Sequence, residues 1–247
     1  MSEIPFKVVI PARYASTRLP GKPLIKLLDK PMIEWVYRAA QASRAEQVIV
    51  ATDDERIMRA VESFGGNCCK TRIDHDTGTD RIVEVSELMG WSDESVIVNL
   101  QGDEPLMPAQ NLTQVAVNLV NSGFDMATLH KAIDAQSAAD PNLVKLVADQ
   151  HGKALYFSRS KIPYDRDALH PAYYGHIGLY AYRVGFLKKF AALSPCQLEQ
   201  SEKLEQLRAL YYGYHIHTAE ALQTPGIGVD TKADLDKVSV QLEAIHS

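Results

Sequence analysis

Three cations fall in one short segment, PARYASTRLPGKP (11–23): Arg13, Arg18 and Lys22. Guanidinium forks and an ammonium neutralise phosphate oxygens. Between them, Ala15, Ser16 and Gly21 leave room for the backbone to approach a ligand closely. The segment has neither a GxxxxGK followed by Ser or Thr nor a GxGxxG, so it is not one of the common glycine-rich phosphate loops. Two carboxylates stand in suggestive places, Asp103 in QGDEP (101–105) and Asp230 in GIGVDT (226–231). A divalent cation that bridges triphosphate oxygens is held by only one or two carboxylates, and Asp103 is a candidate for the first. From spacing alone Asp230 reads as a helix cap, because it or Thr231 precedes a periodic apolar stretch. Two more arginines, Arg159 and Arg166, lie on either side of a proline-containing turn. Cations there require an anion, and a carboxylate suits the guanidinium fork.

These groups can act together only if secondary structure brings them to one edge. The apolar pattern alternates between strand and helix periods. Residues 6–10, 47–51, 67–71 and 95–100 read as short buried strands. Residues 32–43, the stretch after Asp53 or Asp54 up to Gly65-Gly66, 79–89 and 108–121 read as helices. Such alternation means βαβ units and a mostly parallel, doubly wound sheet with helices on both faces. The second half differs. Residues 143–148 and 154–159 read as a hairpin turning at 149–152, followed by strands at 176–183 and 214–219 and helices at 198–210 and 231–245. The expected fold is therefore α/β: one domain over residues 1–247, with a mixed sheet and a hairpin-containing subregion at about 140–215. In open sheets of this kind, ligands bind beyond the carboxyl ends of the strands. The loops carrying Arg13, Lys22 and Asp103 both follow strands.

PARYASTRLPGKPL resembles the signature of cytidylyltransferases that activate acidic sugars, in detail that of the 3-deoxy-manno-octulosonate (KDO) cytidylyltransferase family. The match recurs along nearly the whole chain, through VATDDERI (50–57), GTDR (78–81), VNLQGDEP (98–105), ALYFSRSKIPYDRD (154–167), HIGLYAYR (176–183), LEQLRAL (204–210) and GVDTKADL (228–235). The resemblance implies a nucleotide-diphospho-sugar transferase fold. It implies attack of the anomeric hydroxyl of KDO on the α-phosphorus of CTP, giving CMP-KDO and pyrophosphate, with Mg2+ required. It makes Asp230 the second metal ligand beside Asp103 and assigns Arg13 and Lys22 to the triphosphate. Arg18 is then a ligand of phosphate or of the sugar acid, and Gln101 orients nucleotide or sugar. Arg72 and the segment Thr77, Gly78 and Thr79, together with Ser16, are expected at the nucleotide, while Thr79 alternatively serves as an N-cap. His75 is expected to be a surface loop residue. Arg159, Arg166, His176, Tyr180, Glu205 and Gln206 are expected at the sugar, with His176 and Tyr180 four apart on one face of a strand. Tyr180 as core and Glu205 as a solvated helix residue are the plain alternatives. A homodimer built through 140–215 is also implied, although Tyr156, Phe157, Tyr173, Tyr174, Tyr180 and Tyr182 can equally fill the core.

Composition is consistent with this reading. The chain has 247 residues, 46% of them hydrophobic and 23% charged, so it can bury a full core without staples. The net charge of −5 disfavours a coat for nucleic acid, which needs a basic face. Three cysteines without a C-x-x-C pair suggest reduced thiols. No apolar stretch approaches the ~18 residues of a membrane span, and no basic, apolar leader opens the chain, so a cytoplasmic enzyme without a membrane partner is expected. Rival readings are a nucleotidyltransferase for sialic acid, for an amino-KDO or for a sugar 1-phosphate, and a non-catalytic nucleotide sensor on the same fold.

Overall fold

The computed structural model describes residues 4–15, 19–75, 77–169 and 171–246. The β-branched run after Phe6 forms β1 (Lys7–Pro11), which pairs in parallel with β4 (Gln47–Thr52) on one side and β6 (Val96–Asn99) on the other. Between β1 and β4 come a two-stranded ribbon, β2 (Lys26–Leu27) and β3 (Lys30–Pro31), and then α1 (Met32–Ala42). Next are α2 (Glu55–Ser63), β5 (Cys68–Lys70) and α3 (Gly78–Leu88). Asp54 caps α2 by accepting the Arg56 N–H. The chain runs outward from β1 to β4 and β5, then returns through α3 to β6 on the other side of β1. That reversal is a topological switch point, and the crevice outside the carboxyl ends of β1 and β6 is where an open α/β sheet binds its ligand.

After β6 come α4 (Ala109–Ser122), β7 (Met126–Ile133), β8 (Lys145–Ala148), β9 (Ala154–Ser158) and β10 (Tyr173–Arg183). Then follow α5 (Val184–Ala191), α6 (Gln197–Glu202), α7 (Gln206–Tyr211), β11 (Ile216–Glu220) and α8 (Lys232–His246). The sheet order is β11-β7-β10-β6-β1-β4-β5, with β10 antiparallel to β6 and β7. The first half of β10 also pairs with β8, so the β8–β9 hairpin branches from the sheet rather than extending it. The hairpin turn docks on the outer edge of β11, where Thr218 N–H donates to Gly152 O at 2.7 Å, and so covers part of an edge strand.

Alternating side chains feed two cores. Val8, Ile10, Val98 and Leu129 join α1, α2 and α4 on one face, and Val9, Ile97 and Phe157 join α3, α5 and α7 on the other. Three features differ from the sequence expectation. The helix expected over 198–210 is broken into α6 and α7, because Lys203 takes φ 54° and ends α6 in a left-handed turn. Strand β7, MATLHKAI, carries polar residues that mask its run, and α5 starts directly at the end of β10 with no loop to announce it. Phe157, Tyr173 and Tyr182 are core residues, and Tyr156, Tyr174 and Tyr180 pack partly buried against the core, so this set of aromatics fills the interior.

Candidate active site

The loop after β1 folds back on itself. Gly21 donates to Tyr14 O at 3.0 Å and adopts φ 69°. A side chain at Gly21 would be strained by that φ and would meet the Tyr14 ring at 3.0 Å. The return delivers Lys22 into a short 3-10 turn, Lys22–Leu24. Its ammonium lies 2.6 Å from Asp103 Oδ2, 2.5 Å from Val229 O and 3.2 Å from Asp230 Oδ1. The loop after β6 and the loop before α8 are joined by Val229 N–H donating to Asp103 O at 2.9 Å. That contact needs Gly226 and Gly228: a Cβ on the first would sit 2.6 Å from Leu106, and one on the second 2.8 Å from Glu104. The capping alternative for Asp230 falls to its neighbours. Thr231 and Asp234 form the reciprocal cap of α8, with Thr231 N–H and hydroxyl both 2.8 Å from Asp234 Oδ2.

Arg13, Lys22, Gln101, Asp103 and Asp230 line one cavity of about 400 Å³ at the switch point. Ser16 and Arg18, also expected here, lie outside the described residues. The point on which the Asp103 and Asp230 carboxylates and the Val229 carbonyl converge is the Lys22 ammonium. The donors are all oxygens, the type a hard cation such as Mg2+ takes, and the two carboxylates could hold one only with Lys22 drawn aside. Glu104, which the sequence reading passed over, lies beside them. Burial, then the Asp103 and Asp230 charges, push its carboxyl up to about 8, so it carries a proton at neutral pH.

A narrower cavity of about 100 Å³ adjoins the first and is lined by Arg13, Thr77, Gly78, Arg81 and Gln101. Thr77 caps α3 in a capping box with Asp80, so the cap is Thr77 and not Thr79. Thr79 is buried and turned away from this cavity, donating to Glu205 Oε2 at 2.7 Å. Arg72 is exposed, pairs with Asp74 at 3.0 Å and lies on a neighbouring groove. His75 is not a surface residue: its side chain is 8% exposed and its Nε2 is 2.5 Å from Glu84. Arg81 ties two of the matched motifs together by pairing with Asp53 at 2.9 Å and bonding Thr71.

The expected sugar residues separate into groups. Glu205 and Gln206 start α7, and buried there, Glu205 Oε1 and Gln206 Nε2 have no hydrogen-bond partner. Glu205 Oε1 faces the Arg208 guanidinium at 3.8 Å, an ion pair within the helix. The surfaces of His176 and Tyr180 meet at 5.4 Å between ring centroids, on the same face as expected. His176 also lines a cavity of about 320 Å³ with Asp103, Glu104, Lys131 and Asn142. Lys131 and Asn142 were not legible as site residues, because Lys131 sits in the masked run of β7 and Asn142 in an irregular loop. Arg159 and Arg166 do not come together in these cavities. Arg159 is engaged by backbone carbonyls, Nε to Glu202 O at 2.7 Å and Nη1 to Pro141 O at 3.1 Å. Arg166 is 87% exposed on the loop that leads into β10.

Residues 7–217 match a family model described as cytidylyltransferase. The chain is 51% identical over 250 residues to a 3-deoxy-manno-octulosonate cytidylyltransferase of Pseudomonas fluorescens, covering 97% of this chain and 98% of that protein. It is likewise 51% identical to the protein of that name from Proteus mirabilis, covering 98% of both chains. Among solved structures, a CMP:2-keto-3-deoxy-manno-octonic acid synthetase complexed with CTP superposes with a TM-score of 0.93 at 44% identity, over 98% of this chain and 99% of that one. A cytidylyltransferase from Leptospira borgpetersenii shares the fold at 15% identity, with a TM-score of 0.65 over 97% of this chain and 87% of that one. With the switch-point cavity, the matched motifs and this similarity over nearly full length in agreement, the chain belongs to the 3-deoxy-manno-octulosonate cytidylyltransferase family.

Proposed function

We propose that the chain activates KDO with CTP, releasing pyrophosphate and forming CMP-KDO for lipopolysaccharide biosynthesis. The observation that carries this reading is the convergence of Lys22, Asp103 and Asp230 in a cavity shared with Arg13 and Gln101 at the switch point. In the reaction the anomeric oxygen of KDO forms a bond to the α-phosphorus of CTP. The bond from that phosphorus to the bridging oxygen breaks, pyrophosphate leaves, and the hydroxyl proton passes to solvent. Arg13 and Lys22 stabilise the negative charge that grows on the leaving pyrophosphate, and Ser16 and Arg18 belong to the same loop. Asp103 and Asp230 would hold Mg2+, which when bound lowers the pKa of the attacking hydroxyl and screens the phosphate oxygens. Thr77, Gly78 and Arg72 recognise the nucleotide, and Thr79 links that segment to the sugar helix through Glu205. Gln101 lies between the two substrates.

The sugar side is built from His176, Tyr180, Glu205 and Gln206, with Arg159 and Arg166 on the loop that supplies cations for its carboxylate. Among the described residues, no helix is long and apolar enough to cross a membrane. A cytoplasmic homodimer is part of the proposal. Its interface would use the exposed apolar side chains of the 140–215 region, Leu155, Leu198, Tyr211 and Tyr212. Pyrophosphate release measured over CTP, UTP, ATP and GTP, each with KDO and with sialic acid, tests the assignment. Turnover should be confined to CTP with KDO. Preference for sialic acid, or release from any nucleotide without a sugar acid, would overturn it.

A further inference from the structure

Strand β10 carries a two-residue bulge where it runs beside β7. The register passes from Ile177 opposite Leu129 to Tyr180 opposite Thr128. Bulges leave backbone groups without ladder partners, and here one side chain lies within reach of two carbonyls and can donate to one of them. Thr128 is fully buried, and its hydroxyl oxygen lies 3.0 Å from Ile177 O, 2.9 Å from Leu179 O and 3.0 Å from His176 Nε2. The hydroxyl owns one hydrogen, and the two carbonyls can only accept. If that hydrogen went to His176, both carbonyls would face an oxygen lone pair. If it goes to a carbonyl, the imidazole must be the donor, at Nε2. The proton on Nε2 leaves the lone pair on Nδ1, and no described residue hydrogen-bonds that nitrogen. The ring cannot turn readily, because it stands edge-on to Phe157 at 5.1 Å and against Tyr180 at 5.4 Å.

We propose that Thr128 is a positioning residue that fixes His176 as the Nε2–H tautomer, so that Nδ1 presents a hydrogen-bond acceptor to a hydroxyl of the sugar acid. The inference rests on the KDO reading above and adds the direction of one hydrogen bond to it. An acceptor at this position recognises a hydroxyl donor and disfavours a sugar that places a carbonyl or ether oxygen there. The ring stays neutral as the role requires, since burial and then the adjacent His130 hold it down to about 3.

Nitrogen-15 NMR of the full chain, labelled at histidine, reads the tautomer directly, with His176 assigned by its loss in His176→Gln. The wild type should show His176 protonated at Nε2 and bare at Nδ1 from pH 5 to pH 8. Titration with KDO in the presence of CTP should shift the Nδ1 resonance. Thr128→Val, which removes the hydroxyl at nearly constant shape, should give mixed tautomers and raise KM for KDO about tenfold, with KM for CTP and kcat little changed. Thr128→Ser should restore both the spectrum and KM. A wild-type ring protonated at Nδ1 overturns the proposal, even if Thr128→Val fails to fold. So does a Thr128→Val protein with an unaltered spectrum and unaltered KM for KDO, or KDO binding that leaves Nδ1 unmoved. If CTP and KDO give no pyrophosphate while the Nε2–H pattern holds, the functional reading fails and takes the acceptor role with it, while the Thr128 hydrogen-bond assignment stands.

Discussion

Lys22 touches both carboxylates proposed for the metal, so its ammonium holds together a site that would otherwise repel itself. We predict that Lys22→Ala lowers kcat by about 10²–10³ while changing KM for CTP little, because the charge it meets is greatest on the departing pyrophosphate. Steady-state kinetics decides this, and a change confined to KM would make Lys22 a ground-state binder. Arg166 offers a cleaner test of the sugar acid than Arg159. Because it is exposed, Arg166→Ala should raise KM for KDO about tenfold with KM for CTP unchanged, the loss of one charge-assisted hydrogen bond. Arg166→Lys should rescue poorly, since an ammonium lacks the planar fork. Arg159→Ala would also lose its bonds to Glu202 O and Pro141 O, so a stability defect should accompany any kinetic one. The cation-rich loop, Asp103 and the glycines before Asp230 were legible in the sequence because their types and strand-end positions carry the chemistry. That Asp230 is not the helix cap was not legible from spacing, since capping by Asp230 and capping by Thr231 look alike until Asp234 is seen bonding Thr231.

At the scale of elements, the doubly wound half was readable because β1, β4 and β6 are continuous apolar runs buried on both faces. The second half was harder to read. Strand β7 hides Thr128, His130 and Lys131 in its run: Thr128 serves the bulge, His130 bonds Thr218 on β11, and Lys131 lines the cavity. Lys145 is a further case. It is completely buried at the start of β8, and its ammonium donates to Asp140 O at 2.7 Å, Leu143 O at 2.6 Å and Arg159 O at 2.5 Å. One side chain thereby pins the base of the Arg159–Arg166 loop to the segment that carries Asn142. Lys145→Met keeps the volume but strands three carbonyls. We predict a loss of about 3 kcal/mol or more in urea unfolding, with KM for KDO raised more than KM for CTP. A variant as stable as wild type would show that water replaces the ammonium without consequence.

Over the whole molecule, buried titrating groups set opposing slopes in stability. His176 is held down to about 3, and His130 and His217 are also lowered by burial. A lowered base contributes stability that is fully present above the unfolded value near 6.5 and is lost as pH falls toward the folded value. Glu104 acts oppositely. Raised to about 8 from 4.5, it contributes stability that is present at low pH and lost as pH climbs through 8. Between 4.5 and 6.5 the slopes of His176 and Glu104 oppose each other at about 1.4 kcal/mol per pH unit each. In EDTA without nucleotide, urea unfolding should therefore show a stability maximum at weakly acid to neutral pH. Glu104→Gln should flatten the slope above 6.5 and leave the His176 slope unopposed between 4.5 and 6.5, so that stability there rises with pH; an unchanged slope above 6.5 would show that Glu104 is already ionised in the native protein. None of this was visible in the sequence, because burial at His176 and Glu104 is set by packing between β7, β10 and the 226–230 loop, not by any local pattern.

The Lys22, Asp103 and Asp230 cluster is the proposed centre of cytidylyl transfer. The most direct test is pyrophosphate release from CTP and KDO by wild type and Asp103→Asn, at saturating magnesium, with circular dichroism and unfolding curves to confirm that both fold. Removing one charge from the site should leave the fold intact and lower kcat by at least about a hundredfold. Near wild-type turnover in a folded Asp103→Asn protein would contradict the account.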